Sequence, residues 1–170
     1  VLLYPALAAL RSEFPGSTVH VLAEKRNAGI LSGCPYKDAV LLYDSSPLKT
    51  LSGVIKEGYD VVIDTEQWHR MTAALSFLTR ASVRAGFATN DVRARLFTHP
   101  AAHRREDYEA VSFLNLVSAV TGKEYTFDKD KPFLPVDRDK YTKAVSMLDE
   151  FKDGKRGTVG IFTGATVKER

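Results

Sequence analysis

Apolar positions along this chain switch between a helical spacing and short continuous runs, and the switches mark out its elements. Ala6, Leu7, Ala9, Leu10 and Phe14 recur at helical spacing behind Pro5, a residue suited to the first turn, and Pro15-Gly16 stops the pattern. Residues 18–23 read as a strand, 26–31 as a short helix broken by Gly33-Cys34-Pro35, and 38–43 as a second strand. Ser46-Pro47 predicts an N-cap and first helical position for a helix to about residue 56, closed by Gly58. Residues 59–64 read as a strong strand, with Val61-Val62-Ile63 consecutive and apolar, as expected where both faces are covered. A helix over 71–78 and a short strand over 83–87 follow. Residues 88–105 show no period and read as a long functional loop or a pair of short turns. Tyr108, Val111, Leu114 and Val117 share one face of a helix over 106–120, ended by Thr121-Gly122. Residues 123–136, with Pro132 and Pro135, read as a linker. Asp137 is placed to cap a helix over 140–151, and 158–163 reads as a further strand leading into Gly164-Ala165-Thr166.

Strands alternating with helices predict an α/β fold: a Rossmann-like parallel sheet with helices on both faces. Val1-Leu2-Leu3-Tyr4 runs directly into a helix, where such a fold begins with a strand and a phosphate-type turn. The last residues stop where a helix should start. The expected organisation is one domain over 1–153 that lacks its first strand, and the first strand of a second, truncated domain over 154–170.

Composition narrows the class. Of 170 residues, 44% are hydrophobic and 26% charged, which suits a soluble globular domain with a real core. No apolar run nears the ~20 residues that span a bilayer, and polar residues interrupt every run, which argues against a signal peptide. Cys34 is the single cysteine, so an internal disulfide is impossible and a cysteine-based metal site is unsupported. The net charge of +3 is unevenly placed. Arg80, Arg84, Arg93, Arg95, Arg104 and Arg105 face Asp91 alone within residues 80–105. Arginine's planar fork matches phosphate and carboxylate, so this segment suits an anionic partner or a solvated surface. Nucleic acid is not expected: helix-turn-helix, RNP-like and zinc-finger patterns are missing.

The candidate chemistry gathers after residue 64. In a parallel sheet the strand-to-helix turn lies at the carboxyl edge, where ligands bind. Asp64 ends the strand and either serves a substrate or bonds turn amides. Glu66 either touches substrate hydroxyls or faces water. Trp68 and His69 either stack on and bond to a sugar or form a packed sheet edge and a solvated loop. Arg84 reads as a structural residue bonding carbonyls at its strand start. His99 and His103 are four apart, but Pro100 between them argues against a helical metal pair, and no metal is expected.

These stretches also carry a resemblance. "YDVVIDTEQWHRMTAAL" resembles the "YDLVIDLQG..KS..L" turn of the ADP-heptose:lipopolysaccharide heptosyltransferase family, two-domain glycosyltransferases of the GT-B type. Glu66 stands at that family's Gln position, Arg70 at its basic position, and Gln67 where it usually has Gly. "GCPYKDAVLLYD" resembles "NPYVDEVI.YD", "VLLYPALAALRSEFPGSTVHVLAE" resembles the stretch after the family's opening Gly-Asp, and "GIFTGATVKER" resembles "PGAS…KRWP" at the start of the second domain. The resemblance implies transfer of heptose from ADP-heptose to an acidic lipopolysaccharide core acceptor with inversion. It implies acceptor binding by Arg70, with Glu66, Trp68 and His69 beside it. Donor binding falls to Gly164, Thr166, Lys168 and Arg170. The family's presumed base is the Asp of the Gly-Asp turn, which by spacing falls about two residues before Val1, so the catalytic residue is unassigned and this stretch alone is expected to be inactive. No cofactor is implied. A cytoplasmic enzyme in peripheral contact with the inner membrane surface is the expectation. The alternatives are a non-catalytic α/β module that binds anionic glycan or lipid headgroups through the arginine-rich loop, and a nucleotide-binding regulatory domain.

Overall fold

The computed structural model describes residues 1–151 and Val159. Apart from Val159, the expected strand over 158–163 and the residues that follow it lie outside the described residues. The chain divides into two compact units, Val1–Pro135 and Val136–Arg170.

The first unit alternates helix and strand: α1 (Tyr4–Glu13), β1 (His20–Ala23), α2 (Lys25–Leu31), β2 (Ala39–Leu42), α3 (Pro47–Lys56), β3 (Val61–Asp64), α4 (Arg70–Leu78), β4 (Val83–Phe87), α5 (Asp91–Ala94), β5 (His99–Ala101) and α6 (Glu109–Thr121). Every pairing is parallel. His20 stands opposite Ala39, Val61 opposite Val83, and Ala85 opposite His99. The α/β fold with parallel strands and alternating helices is therefore the one the sequence predicts.

Two features differ from the expectation. The strands form two ladders, β1-β2 and β3-β4-β5, with no bonds joining β1 to β3. Residues 88–105 are also not a loop. They hold α5 and β5, and β5 adds a third strand beside β4. Asn90 starts this segment by accepting a bond from the Arg93 N–H at 3.1 Å, an N-cap on a helix too short to show a period.

Side chains alternate across a strand, so register sorts the faces. Phe87 packs with Ala101, Leu116 and Ile63, which puts α6 over one face of the larger ladder. Asp64 and Gly86 are register partners on the opposite face, where Asp64 meets Thr72 of α4 and Arg93 of α5. On the smaller ladder Tyr4, Leu7, Leu31 and Cys34 form a core with Val19, Val21 and Val40, so α1 and α2 cover it together. Ala6, on the same helix α1, packs with Leu114 and Val117 of α6. Gly122, at φ 70°, ends α6 in the left-handed conformation and donates to the Ser118 carbonyl at 2.8 Å.

The second unit contains α7 (Arg138–Phe151). Asp137 caps it, accepting from the amides of Asp139 at 3.0 Å and Lys140 at 3.2 Å.

Gly86 makes the tightest approach among the described glycines. A Cβ there would lie 2.2 Å from Cζ of Phe97, whose ring is buried. Gly86→Ala therefore has to displace a core ring and is expected to lower unfolding stability by about 1–3 kcal/mol in urea titration. Gly53, inside α3, meets nothing within 4 Å, and Gly53→Ala is expected to raise stability by roughly 0.5–1 kcal/mol. Equal effects of the two substitutions would contradict the packing of Phe97 on β4.

Candidate functional site

The turn after β3 is built around a buried arginine. Arg93 is fully buried and its Nη2 lies 3.0 Å from Oδ2 of Asp64, itself 7% exposed. The same guanidinium donates through Nε to the Phe87 carbonyl at 3.2 Å, and through its two Nη atoms to the carbonyls of His69 and Glu66. A buried guanidinium must find acceptors for its donors. Here they are the end of β3, the end of β4 and both ends of the turn between β3 and α4.

Asp64 is correspondingly committed. Its Oδ1 accepts the Glu66 amide at 3.0 Å and its Oδ2 accepts the Thr72 hydroxyl at 2.9 Å in addition to Arg93. Burial pushes its carboxyl above the usual range, opposed by the Glu66 amide, the Arg93 charge and Thr72. Of its two sequence readings, the one in which it bonds turn amides describes the structure.

Glu66 closes the turn from the other side. Its Oε1 accepts the amides of Gln67 and Trp68 at 3.0 Å each and that of His69 at 3.5 Å. Partial burial raises its carboxyl, but the three amides together outweigh that, and the net displacement is downward. The Gln67 carbonyl accepts the Thr89 hydroxyl at 2.6 Å and its side-chain amide donates to Glu109 at 2.6 Å, tying the turn to the segment after β4 and to α6.

What remains outward is aromatic and cationic. Trp68 is half exposed. Arg105 lies over its ring with Cζ 5.1 Å from the centroid, and His103 meets it edge-on at 5.9 Å while also meeting Phe87 at 5.0 Å. Arg70 is exposed at the first turn of α4 and makes no hydrogen bond or ion pair among the described residues. Glu66, Trp68, His69 and Arg70 thus fall at one edge, as consecutive turn residues must. Sequence reasoning missed that His103 and Arg105 join Trp68 across a long chain separation. It also misplaced Arg93, which reads as one of several diffuse surface cations and is an internal strut. A possible signal for it was Asp64: a carboxylate ending a buried strand requires a partner.

The six arginines of residues 80–105 do not form one loop patch. Arg84 bonds the carbonyls of Ala81 at 2.5 Å and Leu96 at 3.2 Å, the structural role its sequence position suggests. With Phe77, Leu78 and Arg80 it lines a shallow hollow of about 420 Å³ at the start of β4. Arg93 is internal, and Arg104 and Arg105 are exposed beyond β5. No cluster of three or more His, Cys, Asp or Glu side chains suited to a metal occurs among the described residues. No described helix is long and apolar enough to cross a membrane. The donor-site candidates Gly164, Thr166, Lys168 and Arg170 lie outside the described residues.

No family model matches the sequence, and no curated protein matches it significantly. Among solved structures, the fold is similar to that of the ADP-heptose lps heptosyltransferase II of E. coli, with a TM-score of 0.58 and 14% sequence identity. The likeness covers 86% of this chain and 46% of that one, so the chain spans about half the length of the protein it resembles.

Removing Arg93 leaves Asp64 buried and unpaired. Arg93→Ala is expected to cost about 3–5 kcal/mol in chemical denaturation, and the double variant Asp64→Asn/Arg93→Met to recover part of it. A loss below about 1 kcal/mol for Arg93→Ala would be incompatible with a buried Arg93–Asp64 pair. The Glu66 carboxyl gives a second check. Its folded value lies below the unfolded value of about 4.3, so its bonds to the turn are fully present above that pH and are lost as pH falls through the lower, folded value. The amide signals of Gln67 and Trp68 are expected to titrate in NMR with a midpoint below the usual glutamate range. A midpoint at or above it contradicts the geometry.

Proposed function

We propose that this chain is the acceptor-binding half of a glycosyltransferase that moves heptose from ADP-heptose to an acidic lipopolysaccharide core acceptor with inversion. The observation that carries the reading is the exposed Trp68 ring, flanked by Arg105 and by the uncommitted Arg70, at the carboxyl end of β3. An indole face suits the apolar face of a sugar ring. The two guanidiniums suit its carboxylate or phosphate substituents. The fold likeness to a heptosyltransferase supports the same reading from a separate direction.

In such a transfer the acceptor hydroxyl oxygen bonds to the anomeric carbon of the heptose, the bond to the ADP oxygen breaks, and a base takes the hydroxyl proton. Asp64 is unsuited to be that base, since Arg93, Thr72 and the Glu66 amide occupy both its oxygens. Glu66 serves its own turn through Oε1. The role of Arg70, Arg105 and Trp68 in this scheme is to orient the acceptor. The alternative, anionic binding by an arginine-rich loop, has less support because those arginines point to three different tasks.

Titration calorimetry with a phosphorylated lipopolysaccharide core oligosaccharide tests the reading. Arg70→Ala is expected to weaken binding about ten- to hundredfold, the loss of one charged hydrogen bond worth roughly 1.5–3 kcal/mol. Arg70→Lys should restore only part of it, because the fork is lost. The dephosphorylated oligosaccharide should bind weakly to both forms. Equal affinity of the unaltered chain and Arg70→Ala for the phosphorylated ligand removes Arg70 from the site.

A further inference from the structure

The order β3-β4-β5 sets the turn after β3 and the segment after β5 on either side of the end of β4. Two strand spacings, about 10 Å, lie between them. Large side chains close that distance. Phe87, the last residue of β4, is fully buried. The His103 ring packs against it with centroids 5.0 Å apart and meets the Trp68 ring at 5.9 Å. Both spacings fall in the range in which edge-to-face rings attract. His103 thereby links the ends of all three strands.

The chain beyond β5 divides its side chains between two places. His103 and Arg105 reach Trp68. Arg104, between them, lines a separate hollow of about 280 Å³ with Ala101, Ala102, Asn115 and Ala119. The Asp107 amide donates to the Arg104 carbonyl at 3.2 Å and closes the turn that carries Arg105.

Packing accounts for the His103 ring but not for its nitrogens. The chain has four histidines. Nδ1 of His20 meets the Tyr59 hydroxyl at 2.8 Å, and Nδ1 of His99 meets the Thr98 hydroxyl at 2.9 Å. His69 is exposed to water. His103 is half-buried, and neither of its nitrogens has a hydrogen-bond partner among the described residues. A phenyl ring would fill the space between Phe87 and Trp68 without taking polar atoms partly out of water. The Arg105 guanidinium over Trp68 also makes no hydrogen bond or ion pair among the described residues. Two sets of unused donors therefore meet at one indole, at the carboxyl edge of the sheet.

We propose that His103 binds the same anionic group as Arg105, and that a proton taken up by its ring drives that binding. The proposal rests on the reading of Trp68 and Arg105 as a ligand surface, and it concerns the ligand's phosphate rather than its sugar. Neutral imidazole offers one N–H, whereas imidazolium offers two and a charge. In the empty site that charge stands beside Arg105, with Arg70 and Arg104 exposed on the same edge and His69 next to Trp68. The acids of the neighbouring elements are engaged elsewhere. Glu66 holds its turn amides, Glu109 accepts from Gln67, and Asp107 accepts from Asn115 at 3.4 Å. Glu106 is exposed in the turn itself. A tetrahedral anion held by both groups removes the repulsion between His103 and Arg105, so binding and protonation favour each other. Affinity is then highest at acid pH and falls as pH rises and the ring loses its proton.

Trp68 is the single tryptophan, so its fluorescence reads this site directly. Sulfate is the probe, because its charge is constant between about pH 5 and 8, where histidine titrates. Sodium chloride at equal ionic strength is the control. The sulfate Kd is expected to be about tenfold or more lower at the acid end of that range than at the alkaline end. His103→Phe keeps a ring between Phe87 and Trp68 and is expected to bind at the weaker level at both ends. His103→Arg, charged throughout, is expected to bind at the stronger level at both. No response to sulfate beyond the chloride control overturns the proposal. So does an equal Kd at both ends in the unaltered chain, or an undiminished pH dependence in His103→Phe. The phosphorylated core oligosaccharide separates this proposal from the function proposed above. A His103-dependent sulfate response without oligosaccharide binding upholds His103 and removes the heptosyltransferase acceptor. Oligosaccharide binding with the same affinity at both ends upholds the acceptor and removes His103.

Discussion

The end of the sheet is organised by one constraint: a guanidinium with no access to water. Arg93 must satisfy its donors from protein, and it does so with a carboxylate and three carbonyls drawn from β3, β4 and the turn between β3 and α4. Each acceptor is thereby fixed relative to the others. The path from Asp64 to His69 follows, and with it the outward presentation of Trp68. Thr72 and the Glu66 amide complete the shell of Asp64, so the buried charge pair has few unmet bonds to weaken it. The amide cap from Glu66 acts on the same turn from outside. The turn's path is set by two acids inside it, one held by a cation and one by its own backbone.

Much of the fold could be read from the chain because its signals are local. The segment 59–64 is short, rich in β-branched residues and ends in a carboxylate, all of which favour a strand over a helix. Pro5, Pro47 and Gly122 punctuate helices by their own covalent limits, and Asp137 caps as its position suggests. What could not be read is non-local or short. α5 and β5 span four and three residues, barely one helical turn and one strand repeat, too little for a pattern to recur. The burial of Arg93 depends on Asp64, twenty-nine positions away. The approach of His103 and Arg105 to Trp68 depends on β5 lying beside β4, which no spacing in residues 88–105 reveals. The separation into two ladders is likewise a property of pairing, since each strand's own pattern is the same whether or not its far edge is filled.

The arginines show why composition misleads about sites. Counted together, six of them in residues 80–105 suggest one anionic surface. Placed by the fold, they do different work. Arg84 fastens the start of β4 through two carbonyls and lies against the Phe77 ring. Arg93 is interior. Arg105 sits on an indole. The same planar group is used as a strut, as a buried counter-ion and as an exposed cation, and only burial distinguishes these uses.

The electrostatic character of the carboxyl edge follows from that division. The turn contains two acids, Asp64 and Glu66, and a count of charges along the sequence would set them against its cations. Asp64 is neutralised inside by Arg93. Glu66 directs Oε1 at three backbone amides. Asp64 is thus spent on Arg93, whereas Glu66 stays ionised and holds its charge on the turn's amides, beside the outward Arg70, Arg105 and ring of Trp68. The first turn of α4 adds unpaired amide dipoles of the same sign. The edge therefore presents more cationic character outward than the count of its acids suggests, since one of the two is paired within the fold. Pairing Asp64 with a cation from a distant element, while the turn's own amides hold Glu66 in place, is what leaves Arg70 and Arg105 as the outward cations of this edge.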